Sequence, residues 1–297
     1  MNKTKISFSI LKMITPNLLH LPTIIKDSLT MKRLVSAFML FLMVTIAIQA
    51  QEYKLIKDIP YRTTGNEYAL SRCKLDIYYP ENVKDFVTVV WFHGGGLIGG
   101  EKDIPQGFKN SGLAVVTVNY RLLNKAEIAD CIDDAAAAVA WTFKHIAEYG
   151  GNTEKIIVSG HSAGGYLTDM IGLNKEWLKK YDIDADRIAA LIPFSGQVVT
   201  HYNVRAKKGL KPTQPIIDEY APLFFVRPDC PPILIVSGDR NLELYGRYEE
   251  TAYFWRLFQE VGHKEAYLYE LDGFDHGAMV EPGCHILKEY VKKRFKK

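Results

Sequence analysis

A chain of 297 residues with 47% hydrophobic side chains carries enough apolar material for a sizeable buried core, which excludes an extended low-complexity protein. Its formal charge of +3 is small for that length, and its basic residues are scattered except at Lys292, Lys293, Arg294, Lys296 and Lys297. That tail reads as the solvated last turn of a helix, where cations suit the dipole, and not as a nucleic-acid patch.

Met31-Lys32-Arg33, the apolar stretch Leu34 to Ile48, and Ala50 just before Gln51 form the basic, apolar and small-residue regions of a secretory signal peptide. The apolar run is short for a membrane span, although an uncleaved anchor is the alternative. Such a signal normally starts at the initiator. The expectation is therefore a true start at Met31, an upstream extension over residues 1–30, and an exported (periplasmic or secreted) mature protein beginning near Gln51. Cys73, Cys131, Cys230 and Cys284 show no C-x-x-C spacing and no accompanying histidine cluster, so no metal site is expected. They are read either as one disulfide or as buried apolar residues.

From Tyr53 to Pro80 the apolar residues alternate, most clearly at Cys73, Leu75, Ile77 and Tyr79, and predict a half-buried antiparallel hairpin. Val87 to Phe92 is continuously apolar, as in a strand covered on both faces, and runs directly into His93-Gly94-Gly95-Gly96. Leu113 to Val118 is a similar run. Asp134 to Tyr149 reads as an alanine-rich helix able to lie close to a sheet, stopped by Gly150-Gly151. After Lys155 to Val158, further strands are predicted at Ile188 to Phe194, Pro232 to Ser237 and Ala266 to Leu271, with helices over Leu244 to Val261 and Pro282 to Phe295. Alternating strands and helices predict one α/β domain over 51–297, a mostly parallel sheet with helices on both faces. Periodicity fails over about 197–230, where Pro212, Pro215, Pro222 and Pro228 interrupt the chain, and this stretch reads as a cap insertion.

The chemistry is carried by Gly160-His161-Ser162-Ala163-Gly164-Gly165, which reads as strand, sharp turn and helix. The glycines are needed because the serine sits at a strained backbone position hemmed in by its neighbours, leaving the Ser162 hydroxyl at a helix N-terminus. The glycine loop can aim the N–H groups of Gly94 and Gly95, with that of Ala163, at a developing oxyanion, while His93 braces the loop. His276, in Gly273-Phe274-Asp275-His276-Gly277 after the last strand, is placed to take the Ser162 proton. The penultimate strand ends at Gly238 and offers Asp239 and Glu243 as the carboxylate that orients the histidine. Asp239 is favoured because it lies nearest the strand end, and Glu243 is the alternative.

These motifs resemble the α/β-hydrolase fold, in particular the hormone-sensitive-lipase-like and acetyl-xylan or feruloyl esterase branch of serine carboxylesterases. The resemblance runs from about Cys73 to the C-terminus and includes Glu148-Tyr149-Gly150-Gly151-Asn152. It implies hydrolysis of carboxylic esters through an acyl-enzyme, with no cofactor and no metal. Short-chain, first of all acetyl, esters of small molecules or extracellular glycans are the expected partners, with no nucleic acid and no membrane span in the mature protein. Peptidase or formamidase chemistry on the same triad, or a non-catalytic binding protein on this fold, are the other readings. The sequence departs from the family at Asn241, where relatives usually carry the acid, and at Leu97, where they often carry tryptophan.

Overall fold

The computed structural model describes residues 51–295 apart from 212, together with residue 36. The upstream extension and the signal-like segment expected over residues 1–50 therefore lie outside the described residues. The chain divides into units 1–50 and 51–297, and the second holds every element described below.

Strands β1 (Tyr53–Pro60) and β2 (Lys74–Pro80) form the opening antiparallel pair, and a short helix α1 (Glu67–Arg72) fills the connection between them. Strand β3 (Phe86–Phe92) leads into the glycine loop, followed by β4 (Ala114–Val118) and the long helix α2 (Ile128–Tyr149). This helix begins six residues before the predicted Asp134, where Glu127 and Asp130 make reciprocal capping bonds, and it stops at Gly150 in the left-handed conformation. Strand β5 (Gly151–His161), helix α3 (Ala163–Leu173), the single turn α4 (Glu176–Lys179) and strand β6 (Ala190–Phe194) come next. The stretch expected as a cap holds helix α5 (Tyr202–Lys207) and a 3-10 turn at Pro222–Phe225. Strand β7 (Ile233–Gly238), helix α6 (Arg247–Glu260), strand β8 (Ala266–Leu271) and helix α7 (Val280–Arg294) complete the described chain.

Among the described residues the strands form one eight-stranded sheet in the order β1-β2-β4-β3-β5-β6-β7-β8, antiparallel at β1-β2 and β2-β4 and parallel elsewhere. The central strands are apolar throughout because both faces are covered. Val90, Phe92, Val116 and Val158 pack on one side with Ala135, Ala138, Leu167 and Met170 of α2 and α3. Val89, Trp91, Val115, Ile157 and Ile192 pack on the other with Cys284, Leu287 and Val291 of α7. The four cysteines are free buried thiols, which decides between the two readings of them.

Parallel register places the ends of several strands at one edge. Phe92 of β3 pairs with Gly160 of β5, and His161 pairs with Phe194 of β6. The next residues along each strand, His93, Ser162 and Ser195, therefore leave the sheet side by side. In an open parallel sheet this carboxyl-end crevice is where ligands bind.

Candidate active site

Ser162 lies between β5 and α3 with φ 57° and ψ −112°, a backbone position that costs a non-glycine residue on the order of 1–3 kcal/mol. Its surroundings enforce the turn. A Cβ on Gly160 would come within 2.6 Å of the Gly164 backbone, one on Gly164 would sit inside the Phe92 carbonyl, and one on Gly165 would meet the Gly196 Cα at 2.8 Å. The Ser162 N–H donates to the Phe194 carbonyl at 2.8 Å, fastening the turn to the neighbouring strand.

The glycine loop packs directly against this turn, since a Cβ on Gly94 would meet the Ser162 Cβ at 3.4 Å. The Gly95 carbonyl accepts from the N–H groups of Ile98 and Gly99 at 3.1 and 3.0 Å. The N–H groups of Gly94 and Gly95, by contrast, donate to no acceptor among the described residues, and that of Ala163 belongs to the first turn of a helix, where no intrahelical partner exists. His93 braces the loop by donating from Nδ1 to the Gly94 carbonyl at 2.6 Å, and its ring stacks on Tyr120 at 4.4 Å. Burial lowers its pKa to about 4, so it stays neutral. Arg72, on the short helix that the alternation did not reveal, donates to the Gly100 carbonyl at 2.6 Å and ties down the far end of the loop.

His276 and Glu243 meet at this edge, Nδ1 to Oε2 at 2.8 Å, with the glutamate side chain almost fully covered. The Glu243 N–H donates to the Asp239 carbonyl at 2.9 Å, a helical-type turn that brings its side chain back over Gly238, whose N–H donates to Oε1 at 3.0 Å. Burial opposes ionisation of Glu243, but His276, Ser195 and the Gly238 N–H outweigh it and hold the carboxyl at about 2.

The preference for Asp239 is thereby corrected. Its carboxylate is taken up by the N–H groups of Gly273 and Asn241, both at 2.8 Å, and it makes no hydrogen bond or ion pair with His276. Those two bonds also lower its pKa. Asp239 closes its own turn and clamps the loop that carries the histidine, and the residue nearest the strand end is for that reason unable to reach the imidazole. Asn241, at the family's usual acid position, is exposed.

Three side chains at the site carried no signal in the sequence. His161 donates from Nε2 to the His276 carbonyl at 2.7 Å, with ring centroids 4.6 Å apart, and burial followed by the nearby His276 lowers its pKa to about 4. It joins the serine turn to the histidine loop, and no direct Ser162–His276 hydrogen bond is made among the described residues. Such bonds are often open without substrate. Ser195 places its Oγ 3.0 Å from His276 Nδ1, and Arg247 donates to the Ser195 carbonyl. Strand register sets Ser195 beside the serine turn, and the start of α6 brings Arg247 to it.

The profile of a family described as BD-FAE matches residues 75–244, more than half of the chain, and takes in the glycine loop, the serine turn and Glu243. Carboxylesterase NlhH of Mycobacterium tuberculosis is 34% identical over 116 residues, which is 37% of this chain and 36% of that protein. The chain thus spans about a third of the length of this curated relative. Among solved structures, a truncated carbohydrate esterase from gut microbiota superposes with a TM-score of 0.69 at 18% identity, over 84% of this chain and 99% of that one. Thermogutta terrifontis Est2 with bound butyrate superposes with a TM-score of 0.63 at 21% identity, over 82% and 94%. With that profile matching more than half of its length, the chain belongs to the BD-FAE family, on an α/β-hydrolase fold.

Proposed function

We propose that this protein is a serine carboxylic ester hydrolase. Ser162 attacks the ester carbonyl while His276 takes its proton, and Glu243 holds the imidazole and stabilises the imidazolium. The free N–H groups of Gly94, Gly95 and Ala163 receive the oxyanion, His276 returns the proton to the leaving alcohol, and water then releases the acid from Ser162. The observation that carries this reading is the His276–Glu243 bond of 2.8 Å at the same sheet edge as the strained Ser162.

The acyl group in this reading is short. Helix α5 covers the glycine loop, because Asn203 donates to the Gly96 carbonyl at 2.6 Å and a Cβ on Gly96 would collide with Tyr202 and Asn203. The butyrate bound to the Thermogutta relative agrees with an acyl group of that size. A cleft of about 790 Å³ lies between Tyr202 of the cap and Leu244, Tyr245 and Glu249, which follow the acid in the chain, and in this reading it takes the alcohol. Aromatic rings beside carboxylate and amide groups suit a polyhydroxylated alcohol, in keeping with the carbohydrate esterase among the structural relatives. The signal-like segment over 31–50 supports export, and an N-terminus near Gln51 in protein recovered from its host is the expected finding.

The test is turnover of p-nitrophenyl acetate, butyrate and octanoate beside acetylated and feruloylated glycans. Acetate or butyrate above octanoate is expected. Hydrolysis of anilides in preference to every ester would replace the reading with an amidase.

A further inference from the structure

Ser195 follows β6 as Ser162 follows β5, and the register that pairs His161 with Phe194 sets the two serines next to each other. Ser195 is fully buried and has φ 47°, a left-handed conformation that a residue with a side chain adopts only under constraint. Its N–H donates to the Val236 carbonyl at 2.7 Å, and its carbonyl accepts from the buried guanidinium of Arg247. The backbone is thus held at both ends. The outcome is a hydroxyl oxygen 3.0 Å from His276 Nδ1, the same nitrogen that meets Glu243 Oε2 at 2.8 Å.

We infer that Ser195 is a positioning residue for the His276–Glu243 pair, its hydroxyl donating to Glu243 and thereby directing the Nδ1 proton of His276. The inference rests on the hydrolase reading above. To accept the Ser162 proton, His276 must carry its hydrogen on Nδ1 and leave Nε2 free. A protonated Nδ1 cannot accept from a hydroxyl, so the Ser195 hydrogen goes to the carboxylate and the oxygen takes a minor share of the Nδ1–H. Without the carboxylate the same hydroxyl would donate to Nδ1 and hold the ring in the unproductive tautomer. Ser195 and Glu243 therefore act as a unit, with Arg247 and the Val236 carbonyl as its support.

A hydrogen bond to a charged group supports an effect of roughly 10- to 100-fold on kcat for Ser195→Ala, with KM little changed. Ser195→Gly separates the hydroxyl from the backbone, because glycine is at ease at this φ. Both variants are expected to lose rate equally, and neither is expected to lower the rate further in a Glu243→Gln background. The low-field proton resonance of His276 Nδ1 should move in both. Wild-type kcat in Ser195→Gly, or an unmoved resonance, would overturn the inference. The resonance needs no substrate, so a wild-type protein that hydrolyses no ester would defeat the hydrolase reading while the role of Ser195 is still decided.

Discussion

At the scale of single residues, the partner of His276 is chosen by side-chain length acting on a turn. Asp239 is short, and two backbone N–H groups occupy it, whereas Glu243 lies one helical turn further on and reaches back beneath the imidazole. Glu243→Gln should lower kcat by about 10⁴ with KM little altered, through loss of the tautomer and of imidazolium stabilisation. Asp239→Asn should keep kcat within about tenfold while lowering the melting temperature, since it loosens the loop between Gly273 and His276. Steady-state kinetics and thermal melts of the two variants side by side check this, and an exchange of the two results would restore Asp239 as the acid. Ser162, His276 and Gly94 are readable in the sequence because local backbone demands write them as motifs. The choice of acid is not, because it depends on whether the chain coils after Gly238, and that is settled by which N–H groups reach Asp239. Ser195 and His161 are silent for a different reason, since their roles arise only where separate strands end together.

At the scale of elements, the apolar runs of the central strands and the stops at Gly150 and Gly238 make the alternation of strand and helix legible. The helix α1 is not, because six residues inside an alternating stretch leave too short a window for a helical period. Arg72 on that helix nevertheless holds the glycine loop, so the missed element bears on the site. Helix α3 carries a cost as well. Asp169 is buried in it with neither carboxylate oxygen bonded among the described residues, and burial raises its pKa well above the usual value. The folded state keeps this proton at pH values where the unfolded chain has released it, so stability is lost as pH rises above the ordinary value near 4. Asp169→Leu, close in shape, should raise the melting temperature, with the gain larger at pH 8 than at pH 4. A gain independent of pH would show that Asp169 titrates alike in the folded and unfolded protein, and a gain that shrinks toward pH 8 would show that it is ionised and partnered.

At the scale of the whole molecule, the site covers the imidazoles of His93 and His161 and the Glu243 carboxylate, and this shapes stability against acid. His93 and His161 are lowered to about 4 from an ordinary 6.5, so their contribution to stability is complete above about 6.5 and falls between there and 4 as the unfolded chain takes up protons first. Glu243, lowered to about 2 from 4.5, contributes stability above about 4.5 that is lost as pH falls toward 2. Between pH 8 and pH 3 these groups pull the melting temperature down in two stages against the opposite pull of Asp169, so the comparison is with His161→Gln, in which the first of the two stages should be flatter than in wild type. In the proposed function the site rests on one nucleophile, Ser162. The most direct measurement is labelling with a fluorophosphonate followed by peptide mass spectrometry, on wild type, Ser162→Ala and Glu243→Gln. A triad of Ser162, His276 and Glu243 predicts a single adduct on Ser162, none in Ser162→Ala, and labelling slowed by orders of magnitude in Glu243→Gln. An adduct on another residue, or undiminished labelling of Ser162→Ala, would contradict it.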